Sequence, residues 1–296
     1  MVDDVVRLPE QGPEAGLDRY REDRSRMRIV LVGPGRAGQS VAIAASGAGH
    51  EIVAIAARDA DQAYGIARRL DAAALQVGEP IPAVDLVIVA VSDAAIEEVA
   101  GQVAPIARTA AAGAVHLSGA VSVEALEPFA EQGLSIGSLH PLQTMPTPDR
   151  GARALAGAWM AVTAHEPLRT ELNRFAISLG GIPFDLADSD RTAYHAAAAA
   201  AANVPIASLV IAERLMTATG VPFDAVRPLV DAIVENAFDA GPIASLTGPI
   251  ARGDTDTVAA QIEAVRATAP DLADAFEAMM EATARVAAVR GGEDTS

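Results

Sequence analysis

Hydrophobic positions form short unbroken runs over the first two thirds of the chain and a helical periodicity over the last third. Arg28-Ile29-Val30-Leu31-Val32 is the first run. A helical stretch from Gln39 to Ala48 follows it, then a second run from Glu51 to Ala57. Asp85–Val91, Ala114–Leu117 and Leu134–Leu139 are further short runs, with a helix predicted from about Ala94 and a helical stretch between the last two. Trp159–Thr163 and Ile182–Leu186 flank a helix from about Pro167 to Leu179. Strands buried on both faces need such unalternating runs, and their alternation with helices predicts parallel strands covered on both sides. After Asp188 the pattern changes. Ser189 or Asp190 can cap a long helix through the Ala196–Ala202 tract, and the chain reads as helical to about Val289, broken at Gly220-Val221-Pro222 and from Gly241 to Gly253.

The first run ends in Gly33-Pro34-Gly35-Arg36-Ala37-Gly38, a G-x-G-x-x-G set between a strand and a helix. There the first glycine permits the tight turn, the second lets backbone approach a pyrophosphate, and the third lets helix pack on strand. The expected fold class is therefore α/β: a Rossmann doubly wound, mostly parallel sheet followed by an all-helical domain. The expected division is a disordered tail over 1–26, a dinucleotide-binding domain over 27–187, a helical substrate and dimerisation domain over 188–290, and a frayed tail over 291–296. Enzymes that use NAD place an acid at the end of the second strand for the ribose 2′-OH. Here the strand ends Ala56-Ala57-Arg58-Asp59, and Arg58, with Arg36 from the glycine turn, is placed for a 2′-phosphate, which favours NADPH. The alternative is that Asp59 holds the ribose and Arg58 is a solvated surface residue. Val91 and Ser92, at the end of the third long run, complete the expected cofactor contacts.

Composition narrows the chemistry. Net charge is −17, the wrong sign for a nucleic-acid partner. The chain has no Cys and no Lys, so thiolate and lysine mechanisms are excluded. No His/Asp/Glu cluster has metal-ligand spacing. The strongly apolar runs stop short of the 18–20 residues of a membrane span, and residues 1–26 lack the apolar core of a signal peptide. A cytoplasmic protein without membrane or nucleic-acid partners is expected.

Ligands of open α/β sheets sit beyond the carboxyl ends of strands. Ser118 could hydrogen-bond a carboxylate or carbonyl there, with Gly119 allowing close approach, or merely hold a turn. His140 can supply a proton near neutral pH, with Gln143 and Thr144 close by to orient substrate; alternatively it only ends a strand. His195, at the start of the alanine tract, has Asn203 two turns on along the same side of the helix, and the alternative is a packed core histidine. Thr247 and Arg252, in Leu246-Thr247-Gly248-Pro249-Ile250-Ala251-Arg252-Gly253-Asp254, could bind a carboxylate, although the segment also reads as a plain turn.

With GPGRAG (33–38), HLSGA (116–120), SLHPLQT (138–144), YHAAAAAAAN (194–203) and LTGPIARGD (246–254) together, the chain resembles Rossmann-like proteins carrying a DUF2520 domain. These are relatives of pyrroline-5-carboxylate reductase, 6-phosphogluconate dehydrogenase and ketopantoate reductase. The resemblance implies an oxidoreductase and a homodimer paired through the helical domain. The keto-acid reductases of that superfamily carry Lys four residues before an Asn on the first helix of the second domain. Here Ala199 stands four before Asn203, so His195 or His140 must supply the proton. The expectation is NADPH-dependent reduction of a small 2-oxo acid, ketopantoate first. An imine reductase and a non-catalytic dinucleotide sensor are the alternatives.

Overall fold

The computed structural model describes residues 26–107 and 113–293, with no statement on the side chains of 290–293. Most of the two expected tails lies outside the described residues. The chain divides into two compact units, one ending at Ala198 and the other beginning at Ala199.

The first unit is an eight-stranded sheet in the order β3-β2-β1-β4-β5-β6-β7-β8. Its strands are β1 Arg28–Val32, β2 Glu51–Ala57, β3 Ala73–Gln76, β4 Leu86–Val89, β5 Gly113–His116, β6 Ser135–Pro141, β7 Trp159–Ala164 and β8 Ile182–Asp185. β1 to β6 are parallel, and β7, antiparallel to β6 and parallel to β8, turns the last two strands the other way. The helices are α1 Arg36–Gly47, α2 Ala60–Arg69, α3 Ile96–Ala107, α4 Glu127–Ala130, α5 Pro148–Ala154 and α6 Leu168–Ser178. Apolar side chains of α1, α2 and α6 cover one face of the sheet and those of α3 and α4 the other, giving two separate cores. This is the doubly wound arrangement read from the unalternating runs.

Three elements were not legible. α2 and β3 lie in a stretch where β3 is only partly buried, so its apolar signal is weak. α5 is a seven-residue helix capped by Thr147 and opened by Pro148. The reversal of β7 leaves no trace in hydropathy, because both orientations bury both faces.

α7, Arg191–Thr219, starts in the first unit and continues beyond Ala199. Neither Ser189 nor Asp190 caps it; a short 3-10 turn over Asp188–Asp190 leads straight in. Pro205 lies inside the helix without ending it. The reading that no segment could span a membrane needs correction: Asp188–Thr219 is one helical segment long and apolar enough to do so by length and composition. From Thr192 to Ala212 it carries no charged residue, and counting only bulky apolar side chains overlooked its alanines.

The second unit adds α8 Arg227–Ala240, α9 Thr255–Thr268 and α10 Ala273–Glu293. The break between α9 and α10, at Pro270, joins the two that glycine and proline announced. Its buried cluster is small, built on Ile211, Val265 and Ala269.

Candidate active site

The glycine turn separates by function. Gly33 has φ +97°, and a Cβ there would stand 2.7 Å from the Ala90 carbonyl oxygen. At Gly38 a Cβ would lie 2.5 Å from the Gly33 oxygen and 2.9 Å from the Ala90 side chain. Both glycines are demanded by the protein's own packing. Gly35 is not: its φ is −69°, it is exposed, and a Cβ would meet only the Ala90 oxygen at 3.7 Å. Gly35 is the N-cap of α1, whose first turn has no side-chain cap and no acidic residue. The helix thus opens with backbone N–H groups available to an anion, and the missing Cβ leaves room for one to approach closely.

A cavity of about 550 Å³ lies beside this turn, at the carboxyl ends of β1 to β4. This is the point where the strand order reverses direction, and where such sheets bind ligands. Gly33, Pro34, Arg58, Val91 and Ser92 line it, as do Gln62, Gln76, Glu98 and Gln102, none of which the sequence reading singled out. Gly35, Arg36 and Ala37 are exposed and lie outside the lining. Arg58 faces the cavity, whereas Asp59 caps α2 by accepting the Asp61 N–H at 3.0 Å. These residues fit a dinucleotide: a cradle at the turn, donors for phosphate, and a guanidinium at the end of β2.

The second cluster lies at the carboxyl ends of β5 and β6. In register, His116, Ser138 and Thr163 form one row across β5, β6 and β7, and His140, Ala161 and Phe184 the next. Residues in register project to the same face of a sheet. His140 Nδ1 lies 2.7 Å from Tyr194 Oη, and the His140 and His195 rings meet edge to face at 5.9 Å. Gly119 is what permits this. A Cβ there would stand 2.7 Å from His195 Nδ1 and 2.8 Å from His140 Nε2.

Burial, reinforced by His195 and Arg191, pushes His140 down to about 4. At neutral pH it is therefore an uncharged hydrogen-bonding partner. His116 is fully buried and likewise pushed down to about 4, by burial and then by Arg191. Its Nδ1 accepts the Ser118 N–H at 3.2 Å. Burial raises the Tyr194 hydroxyl to about 12, with Arg191 acting in the opposite direction.

The other expected residues have surroundings of their own. The Ser118 oxygen accepts the Ala120 and Val121 N–H groups at 3.2 and 3.1 Å, so it holds a turn, with its own proton free to donate. Gln143 is exposed and its Oε1 accepts from Thr144. Asn203, Thr247 and Arg252 belong to the second unit and are exposed. There Gly253 is left-handed and Asp254 caps α9 through Thr257, so turn and cap geometry account for the loop by themselves. Tyr194 and Arg191 were missed, whereas Gly119, read as allowing close approach, does so for the protein's own imidazoles. One signal was present: Arg191, Tyr194 and His195 stand at i, i+3 and i+4, one face of a helix.

Fold and cavity together define a Rossmann-type α/β protein. More particularly, the chain carries a Rossmann-like domain, matched over residues 12–141, followed by a domain of unknown function, DUF2520, matched over residues 158–283. No curated protein matches the sequence. Among solved structures, a Bacteroides fragilis protein described as an NADP oxidoreductase is similar, with 22% identity, TM-score 0.75, and 88% of this chain and 98% of that one covered. A reductive aminase from Aspergillus terreus in complex with NADPH, cyclohexanone and allyl amine matches at 16% identity and TM-score 0.60, covering 88% and 94%. A pyrroline-5-carboxylate reductase from Streptococcus pyogenes matches at 19% identity and TM-score 0.56, covering 88% and 99%. At these identities the likeness establishes a shared fold.

Proposed function

We propose that the chain is an NADPH-dependent reductase acting on a C=N or C=O bond of a small molecule, working as a cytoplasmic homodimer. The observation that carries the reading is the pair of features along one sheet edge: the cradle at Gly35 with Arg58 in the cavity, and the Tyr194–His140–His195 cluster beside it. Asp93 follows Ser92, which lines the cavity, and its charge acts on His140. Cofactor and proton source are thus near neighbours.

When bound, reduced nicotinamide supplies a hydride. The chain does the rest. The α1 amides hold the pyrophosphate, and Arg58 pairs with the 2′-phosphate. Tyr194 or His195 gives a proton to the nitrogen or oxygen of the reduced bond, neutral His140 orients the Tyr194 hydroxyl through their hydrogen bond, and solvent returns the proton once the product has left. Partial burial of Tyr194 and His140 limits water on the sheet side of the cluster, while His195 is exposed.

An imine is the better-supported substrate. A reductive aminase and a pyrroline-5-carboxylate reductase share the fold. Arg191, the buried cation beside His140, is engaged by Thr163, Ser118 and Asp188 rather than free for a carboxylate. The 2-oxo acid reading, ketopantoate included, instead needs Arg252 as the carboxylate partner. Homodimerisation is supported by the second unit's exposed apolar side chains, including Ile206, Leu229 and Phe238 at 59%, 71% and 88% exposure.

The test follows NADPH absorbance over a panel of cyclic imines, ketone–amine mixtures and 2-oxo acids. Turnover with an imine is expected. Turnover with 2-oxo acids alone would reverse the preference, and tight NADPH binding without any turnover would make the chain a sensor.

A further inference from the structure

Arg191 is the largest side chain in the interior of the first unit, only 1% exposed. Burying a guanidinium costs several kcal/mol unless its charge and N–H groups are met, and a well-packed apolar side chain often serves structure equally well. Here the charge is met from three directions. Nη1 donates to Thr163 Oγ1 on β7 at 3.0 Å, and Nη2 donates to the Ser118 carbonyl after β5. Nε faces the Asp188 carboxylate at 3.9 Å and makes no hydrogen bond. Asp188 in turn accepts from Ser122 Oγ at 2.6 Å and the Val123 N–H at 3.0 Å. Arg191 and Asp188 therefore staple the 118–123 loop to the start of α7. That loop contains Gly119, against which both imidazoles lie, and α7 places Tyr194 and His195 one turn after Arg191.

We propose that Arg191 is a positioning residue: it pins the Ser118–Gly119 turn to the first turn of α7, and it sets its positive charge one helical turn from Tyr194 so that the Tyr194–His140 pair is held for proton delivery. The second half rests on the reading of that pair as a proton source. The charged and titratable groups around His140 are His195, Arg191 and Tyr194 from α7 and Asp93 from the turn after β4. His116, from β5, feels the same Arg191, with Asp93 and Asp188 opposing it. Arg191 lowers both His140 and Tyr194, so it acts in one direction on both members of the pair.

The experiment is a histidine Cε1–H NMR titration of the full chain, unmodified and as Arg191→Met, Arg191→Lys and Thr163→Val. Arg191→Met is expected to raise the His140 midpoint by about 0.5 pH unit or more, and Arg191→Lys to leave it within half of that shift. In Arg191→Met the Tyr194 ultraviolet titration should also move to higher pH, whereas simple loosening would bring it down toward 10. Thr163→Val keeps the charge but cuts one anchor, and should shift the Gly119 amide while sparing the His140 midpoint. An unmoved His140 in a folded Arg191→Met protein, equal shifts in the Met and Lys variants, or a fall in Tyr194 overturns the charge role. Should Arg191→Met not fold, a Lys variant with a raised His140 midpoint overturns it as well. An unmoved Gly119 amide in Thr163→Val overturns the pinning. None of these readouts needs turnover, so failure of the reductase reading is separately visible.

Discussion

Tyr194 Oη and His140 Nδ1 lie 2.7 Å apart, joining the first turn of α7 to the carboxyl end of β6 through two partly buried side chains. In such surroundings each group depends on the other. Tyr194→Phe leaves a buried imidazole nitrogen without its partner, which costs about 1–3 kcal/mol. It also removes a hydroxyl that we assign to proton delivery, so kcat for an imine is expected to fall about 10²-fold or more. Urea denaturation and steady-state kinetics measure the two effects separately. A variant that loses stability but keeps kcat would leave Tyr194 as a structural partner only.

Two buried imidazoles give the protein a defined response to acid. His116 and His140 both stand at about 4 in the folded chain, against 6.5 when exposed. Between those values the unfolded chain binds protons that the folded chain does not, so stability falls as pH drops from 6.5 toward 4 and is unaffected above that window. The expected loss by pH 5 is about 2 kcal/mol per imidazole. Urea midpoints at pH 7.5 and pH 5 measure it. His140→Gln should remove about half of the difference, and a midpoint that ignores pH would contradict the burial of both rings.

Gly33 and Gly35 should respond differently to the same methyl group. Gly33→Ala forces a left-handed residue to carry a Cβ into the Ala90 carbonyl, and the melting temperature should drop by several degrees, as about 1–3 kcal/mol of strain implies. Gly35→Ala meets only an ordinary contact at 3.7 Å and should melt like the parent. Its effect is expected in calorimetric titration with NADPH, as a loss of about tenfold or more in affinity. Unchanged NADPH binding in Gly35→Ala would remove the cradle from the cofactor reading.

The contrast between these glycines marks how far sequence carried the fold and the site. Strand runs such as Glu51–Ala57 are written in local composition because both faces of the sheet are covered, and β2 begins and ends where the run does. The G-x-G-x-x-G turn was legible because its spacing falls between a strand run and a helix, although only Gly33 and Gly38 answer a steric demand of the protein itself. The His140 cluster was only half legible. Its members come from β5, β6 and α7, and Gly119, the residue that lets them converge, was read as allowing close approach without a sign that the approaching groups are the protein's own imidazoles. Arg191 was hidden for a related reason. Nothing local distinguishes a buried arginine from the 21 other basic residues of the chain, since its burial depends on Thr163, Ser118 and Asp188, far apart in sequence.

Cofactor choice should follow Arg58. It lines the cavity at the end of β2 while the neighbouring Asp59 is engaged as a helix cap. Arg58→Ala is expected to weaken NADPH binding about tenfold or more and to leave NADH nearly unchanged, because only NADPH carries the 2′-phosphate that a guanidinium grips. Fluorescence titration with both coenzymes checks this. Equal losses for the two would assign Arg58 to the shared part of the molecule.

The last expectation concerns the second unit taken alone. Its interior holds few bulky apolar side chains, while Val234 and Phe238, one turn apart on α8, are 50% and 88% exposed. Side chains of that size in water cost about 1.5–3 kcal/mol each relative to burial, and a second copy covering the same helix would bury both sets at once. Phe238→Asp places a charge where the partner helix would lie, so sedimentation velocity should move from a dimer to a monomer, with a lower melting temperature. Tyr64→Ala, at an exposed position of the first unit, serves as a control that leaves the sedimentation unchanged. A parent chain that sediments as a monomer at micromolar concentration would end the homodimer proposal, and the apolar surface of α8 would then need another partner.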